Sequence, residues 1–226
     1  MCLGFWIDYI MRHCKHFRPT MGSQTQTMST PYILVLFYSR GGHTRTLAEY
    51  IAQGIESVGG IEAKLRTVPP VAAQTDVAIA AIPPEGAPYA TLDELSNCAG
   101  LALGSPTRFG NMAAPMKHFI DQTSALWQNG ALIGKPASVF TSTGSMHGGQ
   151  ETTLTSMMTP LLHHGMVLVG LPYSQADLMH TSSGGTPYGA SHLAGANGAR
   201  AVDDTEKKLA LFAGAHLAKI ALKLHR

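Results

Sequence analysis

Three short stretches carry the residue types that could do chemistry in this chain. They are Ser39-Arg40-Gly41-Gly42-His43-Thr44, Pro106-Thr107-Arg108-Phe109-Gly110-Asn111 and Ser142-Thr143-Gly144-Ser145-Met146-His147. In the first, a hydroxyl at each end, two glycines and a following helical pattern (Leu47, Ile51, Ile55) describe a strand-to-helix turn. Such a turn leaves backbone N–H groups unpaired at the positive end of a helix dipole, which attracts an anion. A triphosphate loop would want G-x-x-x-x-G-K-[ST], and no Lys stands here. A dinucleotide loop would want G-x-G-x-x-G and an acidic residue closing the second strand, where this chain reads Leu65-Arg66-Thr67-Val68. A single phosphate held by Ser39, Thr44 and backbone amides fits the pattern. So does an ordinary βα turn that uses glycine for its geometry.

The elements that must position these stretches follow from the apolar periodicity. Strands are expected at 32–38, 61–67, 99–104, 137–142 and 166–170, and helices at 44–57, 112–127, 150–163 and 203–224. The first, third and fourth strands each run into one of the three loops. In a parallel sheet such loops share one edge and converge on a crevice at the strands' carboxyl ends, which favours the ligand reading. The alternation predicts an α/β fold, a doubly wound five-stranded parallel sheet of order 2-1-3-4-5 with helices on both faces. The segment 68–98, with Pro69, Pro70, Pro83, Pro84 and Pro88, is too proline-rich for one regular helix. The Gly- and Ser-rich excursion 171–200 is longer than a connector needs, as functional loops are.

Composition narrows the class. A chain of 226 residues suits one domain with a sizeable core, expected over 29–226, with 1–28 as a disordered extension. Arg12, Lys15 and Arg18 against Asp8 supply the whole net charge of +2, so the remainder is balanced and carries no basic footprint for nucleic acid. Charged residues are only 13% of the chain, which points to burial against further copies. No apolar run is long enough to span a membrane. Cys2, Cys14 and Cys98 form no C-x-x-C pair, so neither a disulfide framework nor a zinc site is expected, and a reducing cytoplasm fits.

From Pro31 onward the chain reads SPTRFGNMAAPMKHFIDQT (Ser105 to Thr123), LWQNGALIGKPASVF (Leu126 to Phe140), STG (Ser142 to Gly144), GGQE (Gly148 to Glu151), HHGM (His163 to Met166) and GGTPYGAS (Gly184 to Ser191). This succession resembles the WrbA-type NAD(P)H:quinone oxidoreductases, FMN-binding relatives of the flavodoxins. The resemblance implies that Ser39 to Thr44 hold the FMN phosphate and that Thr107, Arg108 and Phe109 wrap the isoalloxazine ring. Pro106, Gly110 and Asn111 complete that loop, and Ser142 to His147 border the pyrimidine and ribityl side. It further implies that His163 contacts the flavin, that Trp127 lines the substrate site, and that Ala72 to Ile82 form part of an inserted helix. Without the resemblance, His163 and His164 would read as residues complementing a helix dipole ahead of a capping Gly165.

The implied activity is two-electron reduction of a quinone by NADH or NADPH in a ping-pong sequence. The flavin carries the chemistry, no protein nucleophile is needed, and the assembly is a homotetramer. The alternatives within the fold are a one-electron carrier of the flavodoxin type and a non-enzymatic regulatory flavoprotein. The balanced charge of 29–226 is unlike the acidic docking surface of such carriers. Two departures from the family pattern stand out. Ser145-Met146-His147 makes the third loop one residue longer, and Gly41 stands where relatives often carry an aromatic residue linked to nicotinamide nucleotide binding.

Overall fold

A computed structural model of the chain describes residues 30–72 and 83–225. The extension expected over 1–28 lies outside the described residues, as does the helix expected over 72–82 except for its first residue. In chain order the described elements begin with β1 (Tyr32–Phe37), α1 (His43–Glu56), β2 (Glu62–Thr67), α2 (Leu92–Asn97) and β3 (Gly100–Pro106). They continue with α3 (Ala114–Asp121), α4 (Ser124–Gln128), β4 (Pro136–Thr143), α5 (Gln150–His163) and β5 (Val167–Leu168). The last three are α6 (Asp177–His180), β6 (Gly189–Leu193) and α7 (Asp204–Leu224).

The strands form one parallel sheet in the order β2-β1-β3-β4-β5, with β6 also paired to β4. This is the doubly wound arrangement expected from the alternation of strands and helices. Successive side chains of β1 point to opposite faces, so the strand feeds two cores. Ile33, Val35 and Phe37 pack with Leu47, Ile51 and Ile55 of α1 and with Leu209 and Leu217 of α7. Leu34 and Leu36 pack with Met116 and Phe119 of α3 and with Leu154, Met157 and Leu161 of α5. Burial on both faces is why β1, β3 and β4 read as near-continuous apolar runs.

Three details differ from the sequence expectation. The helix expected over 112–127 is broken in two. Pro115 belongs in a first turn, which sets the start of α3. At Thr123 the hydroxyl donates to the Ile120 carbonyl at 2.7 Å and lies 2.8 Å from His164 Nε2, so the chain leaves the helical path there. A short helix, α2, lies within the proline-rich segment. Its N-cap Thr91 and Glu94 form a capping box, each side chain bonded to the other's backbone N–H. Finally, the fifth strand is split. Only Val167 and Leu168 pair with Pro136 and Ala137 before the chain departs at Gly170-Leu171-Pro172. The excursion then returns Gly189–Leu193 alongside Val139–Thr143, further up the same β4. Six paired segments therefore do what five strands were expected to do.

Candidate functional site

The carboxyl ends of β1, β3 and β4 are laced to one another, so their loops cannot move independently. Tyr38 N–H donates to the Gly104 carbonyl at 3.0 Å, Thr107 N–H to Ser142 at 3.0 Å, and Ala194 N–H to Thr143 at 2.8 Å. In the first loop, Gly42 takes the left-handed conformation (φ 89°) that lets the chain turn into α1, and no side chain caps the helix. There is no acidic residue in the first turn, so the helix supplies no carboxylate of its own against the positive end of its dipole. The Ser39 hydroxyl beside it is buried and has no hydrogen-bond partner among the described residues. A buried polar atom is costly unless satisfied, so an acceptor supplied by a ligand belongs there. A phosphate group fits this donor set.

The second loop is a tight turn closed by two bonds. Arg108 N–H donates to the Asn111 carbonyl at 2.7 Å, and Asn111 N–H donates to the Arg108 carbonyl at 3.0 Å. Both central residues have positive φ, 53° at Phe109 and 76° at Gly110. That conformation strains a bulky residue, and the Phe109 ring is fully exposed at the tip. The ring therefore contributes no packing to this chain's own core. Arg108 Nη1 donates to the Thr107 carbonyl at 2.7 Å, which holds the guanidinium back over the loop.

The third loop touches the second. Thr107 Oγ1 lies 2.6 Å from Thr153 Oγ1 in α5, and a Cβ on Gly149 would sit 2.9 Å from Gly110 Cα. Ser142 and Thr143 are buried, and Gly144, Ser145, Met146 and His147 are exposed. The Thr143 hydroxyl donates to the Ser145 carbonyl at 3.0 Å, so the loop starts from a fixed point. Pro106, at the end of β3, and Ser142, near the end of β4, lie side by side in the sheet register. Ser39 to Thr44, Pro106 to Asn111 and Ser142 to His147 thus gather at one edge.

His163 and Trp127 do not join them. α5 starts at the loop edge and runs back along the sheet, so His163, ten residues after Thr153, stands about 15 Å further along the axis. Exposed Trp127 and His163 line a separate cleft of about 620 Å³ between α3–α4 and α5. Asn111 and Met112 line it too, so the cleft extends from the second loop. Beneath its wall, burial holds the His164 imidazole below its ordinary value, and repulsion from His163 adds to the effect.

The sequence model of the family described as NADPH-dependent FMN reductase matches residues 32–180. The chain belongs to that family. It is 47% identical over 201 residues to an NAD(P)H dehydrogenase (quinone) of Trichlorobacter lovleyi, covering 85% of this chain and 98% of the relative. The fold is similar to that of a WrbA-like flavodoxin of Agrobacterium tumefaciens, with a TM-score of 0.62 at 21% identity over 86% of this chain and 99% of that one. An archaeal flavodoxin aligns with a TM-score of 0.56, also at 21% identity, over 84% of this chain and 99% of that one.

Residues that attracted no chemical reading in sequence hold this FMN reductase fold's loops in place. Gln150, buried at the start of α5, accepts from the Ser191 hydroxyl at 2.6 Å and donates to the Met146 carbonyl at 3.2 Å, tying the third loop to β6. Glu206 looks like an ordinary charge at a helix start, yet it is wholly buried. It accepts from the backbone N–H groups of Gly184 (2.9 Å), Leu193 (2.9 Å) and Asp203 (3.0 Å). Burial would raise its carboxyl, but bonds from His192 and from the Leu193 and Asp203 amides hold it below the usual carboxylate range. The available signal was the Asp203-x-x-Glu206 spacing of a capping box, which the structure contains.

Proposed function

We propose that this chain is an FMN-dependent NAD(P)H:quinone oxidoreductase. The observation that carries the reading is the unsatisfied, buried Ser39 hydroxyl at the uncapped start of α1, on the sheet edge that also presents the strained, exposed Phe109. Membership of the FMN reductase family and 47% identity to a quinone dehydrogenase support it. Bound FMN would supply the two-electron chemistry, between a nicotinamide donor and a quinone acceptor that use the ring face in turn. The chain's own part is binding, orientation and electrostatics. Ser39, Arg40, Gly41, Gly42, His43 and Thr44 receive the phosphate. Thr107, Arg108 and Phe109 flank the ring, and the loop from Ser142 to His147 borders its polar edge. Amide and hydroxyl donors there would favour negative charge on a bound flavin.

His163 and Trp127 keep their proposed roles if their cleft meets the flavin of a second copy, because both are exposed and line a cleft that opens from the second loop rather than the crevice of the three loops. A homotetramer in the cytoplasm is therefore part of the reading, with one copy's cleft facing another copy's flavin. Among the described residues no helix is long and apolar enough to cross a membrane.

Purified protein is expected to be yellow, to release FMN rather than FAD on denaturation, and to oxidise NADH or NADPH with benzoquinone along parallel double-reciprocal lines. Colourless protein that takes up no added FMN would overturn the cofactor. Flavin-loaded protein without quinone-dependent turnover would leave a carrier or regulatory flavoprotein.

A further inference from the structure

We propose that His192 is a positioning residue for the phosphate loop. Held between Glu206 and the Arg200 carbonyl, it sets His43 at the first turn of α1 and so governs affinity for the phosphate of FMN. The inference rests on the reading of Ser39–Thr44 as the FMN phosphate loop.

His192 is wholly buried in β6. Its Nδ1 is 2.8 Å from Glu206 Oε2, and its Nε2 is 3.1 Å from the Arg200 carbonyl oxygen. Both Glu206 oxygens already face backbone N–H donors, Gly184 and Leu193 at one and Asp203 at the other, so the carboxylate can only accept. A carbonyl also only accepts. Each ring nitrogen of His192 thus faces an acceptor, and turning the ring over would put carbon in place of both. Arg200 and Asp203 complete the charged surroundings, with Arg200 Nη2 2.5 Å from Asp203 Oδ2. An imidazole fixed in this way is a rigid wall.

Against that wall rests His43. The two ring centroids are 5.0 Å apart at an interplanar angle of 38°. On another side a Cβ at Gly198 would lie 3.3 Å from His43 Nε2, so the ring is hemmed in by the turn after β6 as well. His43 is the first residue of α1 and directly follows Gly42, whose left-handed conformation forms the loop. A shift of the His43 ring is transmitted to the backbone amides beside Ser39. The N-terminus of α7, through Glu206 and His192, thus holds a loop more than 150 positions earlier in the chain.

The test compares flavin dissociation constants, read by fluorescence on dilution of protein loaded with FMN or with riboflavin, which lacks the phosphate. His192→Ala is expected to raise the FMN constant between about 2- and 30-fold, the range of indirect couplings. The riboflavin constant should stay unchanged. In a His43→Ala background the same substitution is expected to add nothing, because His192 acts through His43. A purely structural role would lower the melting temperature and leave the FMN-to-riboflavin preference intact, which would overturn the proposal, as would additive effects of the two substitutions. Should His192→Ala fail to fold, Gly198→Ala disturbs the same ring from outside the buried pair, and an unchanged preference there overturns it equally. Ser39→Ala separates the two levels. If it leaves FMN affinity intact, the phosphate-loop reading itself falls. If it weakens FMN while His192→Ala does not, only the positioning role falls.

Discussion

Two loop residues show how a single φ angle decides what a position can carry. Gly41 and Gly42 are adjacent, but only Gly42 has positive φ. A Cβ on Gly41 would meet nothing closer than His43 Cδ2 at 3.7 Å, an ordinary contact, so Gly41 tolerates a side chain. An aromatic ring there could stack on an incoming nicotinamide nucleotide for about 0.5–1.5 kcal/mol. Gly41→Tyr is therefore expected to lower the apparent KM for NAD(P)H roughly 2- to 13-fold. Flavin content and the quinone KM should stay nearly unchanged, and an unchanged or raised nucleotide KM at full flavin occupancy would refute the stacking argument. Phe109 is the converse case. Its left-handed backbone costs on the order of 1–3 kcal/mol, and glycine would relieve that at an entropic cost of roughly 0.5–1 kcal/mol. Phe109→Gly is expected to be neutral to about 2.5 kcal/mol more stable in denaturant titrations while quinone reduction falls. Loss of stability together with full activity would mean that the ring serves the fold and not the flavin.

Between elements, the α1–α7 contact controls where the loop from Ser39 to Thr44 stands. The two helices meet at a reciprocal pair of glycines. A Cβ on Gly54 would lie 2.0 Å from the Leu211 carbonyl oxygen, and one on Gly214 would lie 2.0 Å from that of Ile51. An exposed helical Gly→Ala change gains about 1 kcal/mol in propensity. Here the methyl group would strike backbone that cannot rotate away, and overpacking of this kind costs roughly 1–3 kcal/mol or more. The clash outweighs the propensity. Gly54→Ala should destabilise the protein and weaken FMN binding, because α1 carries the loop at its start. Increased stability in a urea titration would show that the helices are further apart than these contacts describe.

Across the whole molecule, the titratable groups set an acid limit. Burial, with repulsion from His163, keeps His164 below its ordinary value of 6.5, and burial, Lys219 and Lys223 do the same to His216. Such histidines take up protons more readily when unfolded. Their contribution to stability is therefore complete above the usual histidine value and is lost as pH falls from there through the lower folded values. Asp203 and Glu206 have burial raising them, but hydrogen bonds and, for Asp203, Arg200 hold both below the usual carboxylate range. Their contribution is present above the unfolded carboxylate values and disappears as pH falls through the lower folded ones. The melting temperature should thus be flat near neutrality and fall in two stages on acidification. His164→Gln should soften the upper stage, and a melting temperature that rises from pH 7 to pH 5 would reverse the sign of this account. Deleting residues 1–28 is expected to leave flavin content and turnover intact, since β1 begins at Tyr32; loss of either would assign those residues to the enzyme.

Much of this architecture is written in near neighbours along the chain. The unbroken apolar run of β1, the helical spacing of Leu47, Ile51 and Ile55, and the glycine pair before His43 are local patterns, and each maps onto an observed element. So does the convergence of three loops, because parallel strands must end on a common edge. The Thr91-x-x-Glu94 box was readable too, but the surrounding prolines pointed away from a helix. Other features depend on residues distant in sequence. The break of α3 from α4 needs His164 against Thr123, and the split fifth strand needs β4 to accept two partners along its length. Glu206 passes for a solvated charge until Gly184, Leu193 and His192 close around it, because no local pattern records which donors surround a carboxylate. His163 sits in a motif whose resemblance implies flavin contact, and the direction and length of α5 put it about 15 Å along the helix axis from Thr153, where α5 touches the second loop. Short-range periodicity settles which elements form and which edge they share, while long-range packing settles which side chains meet.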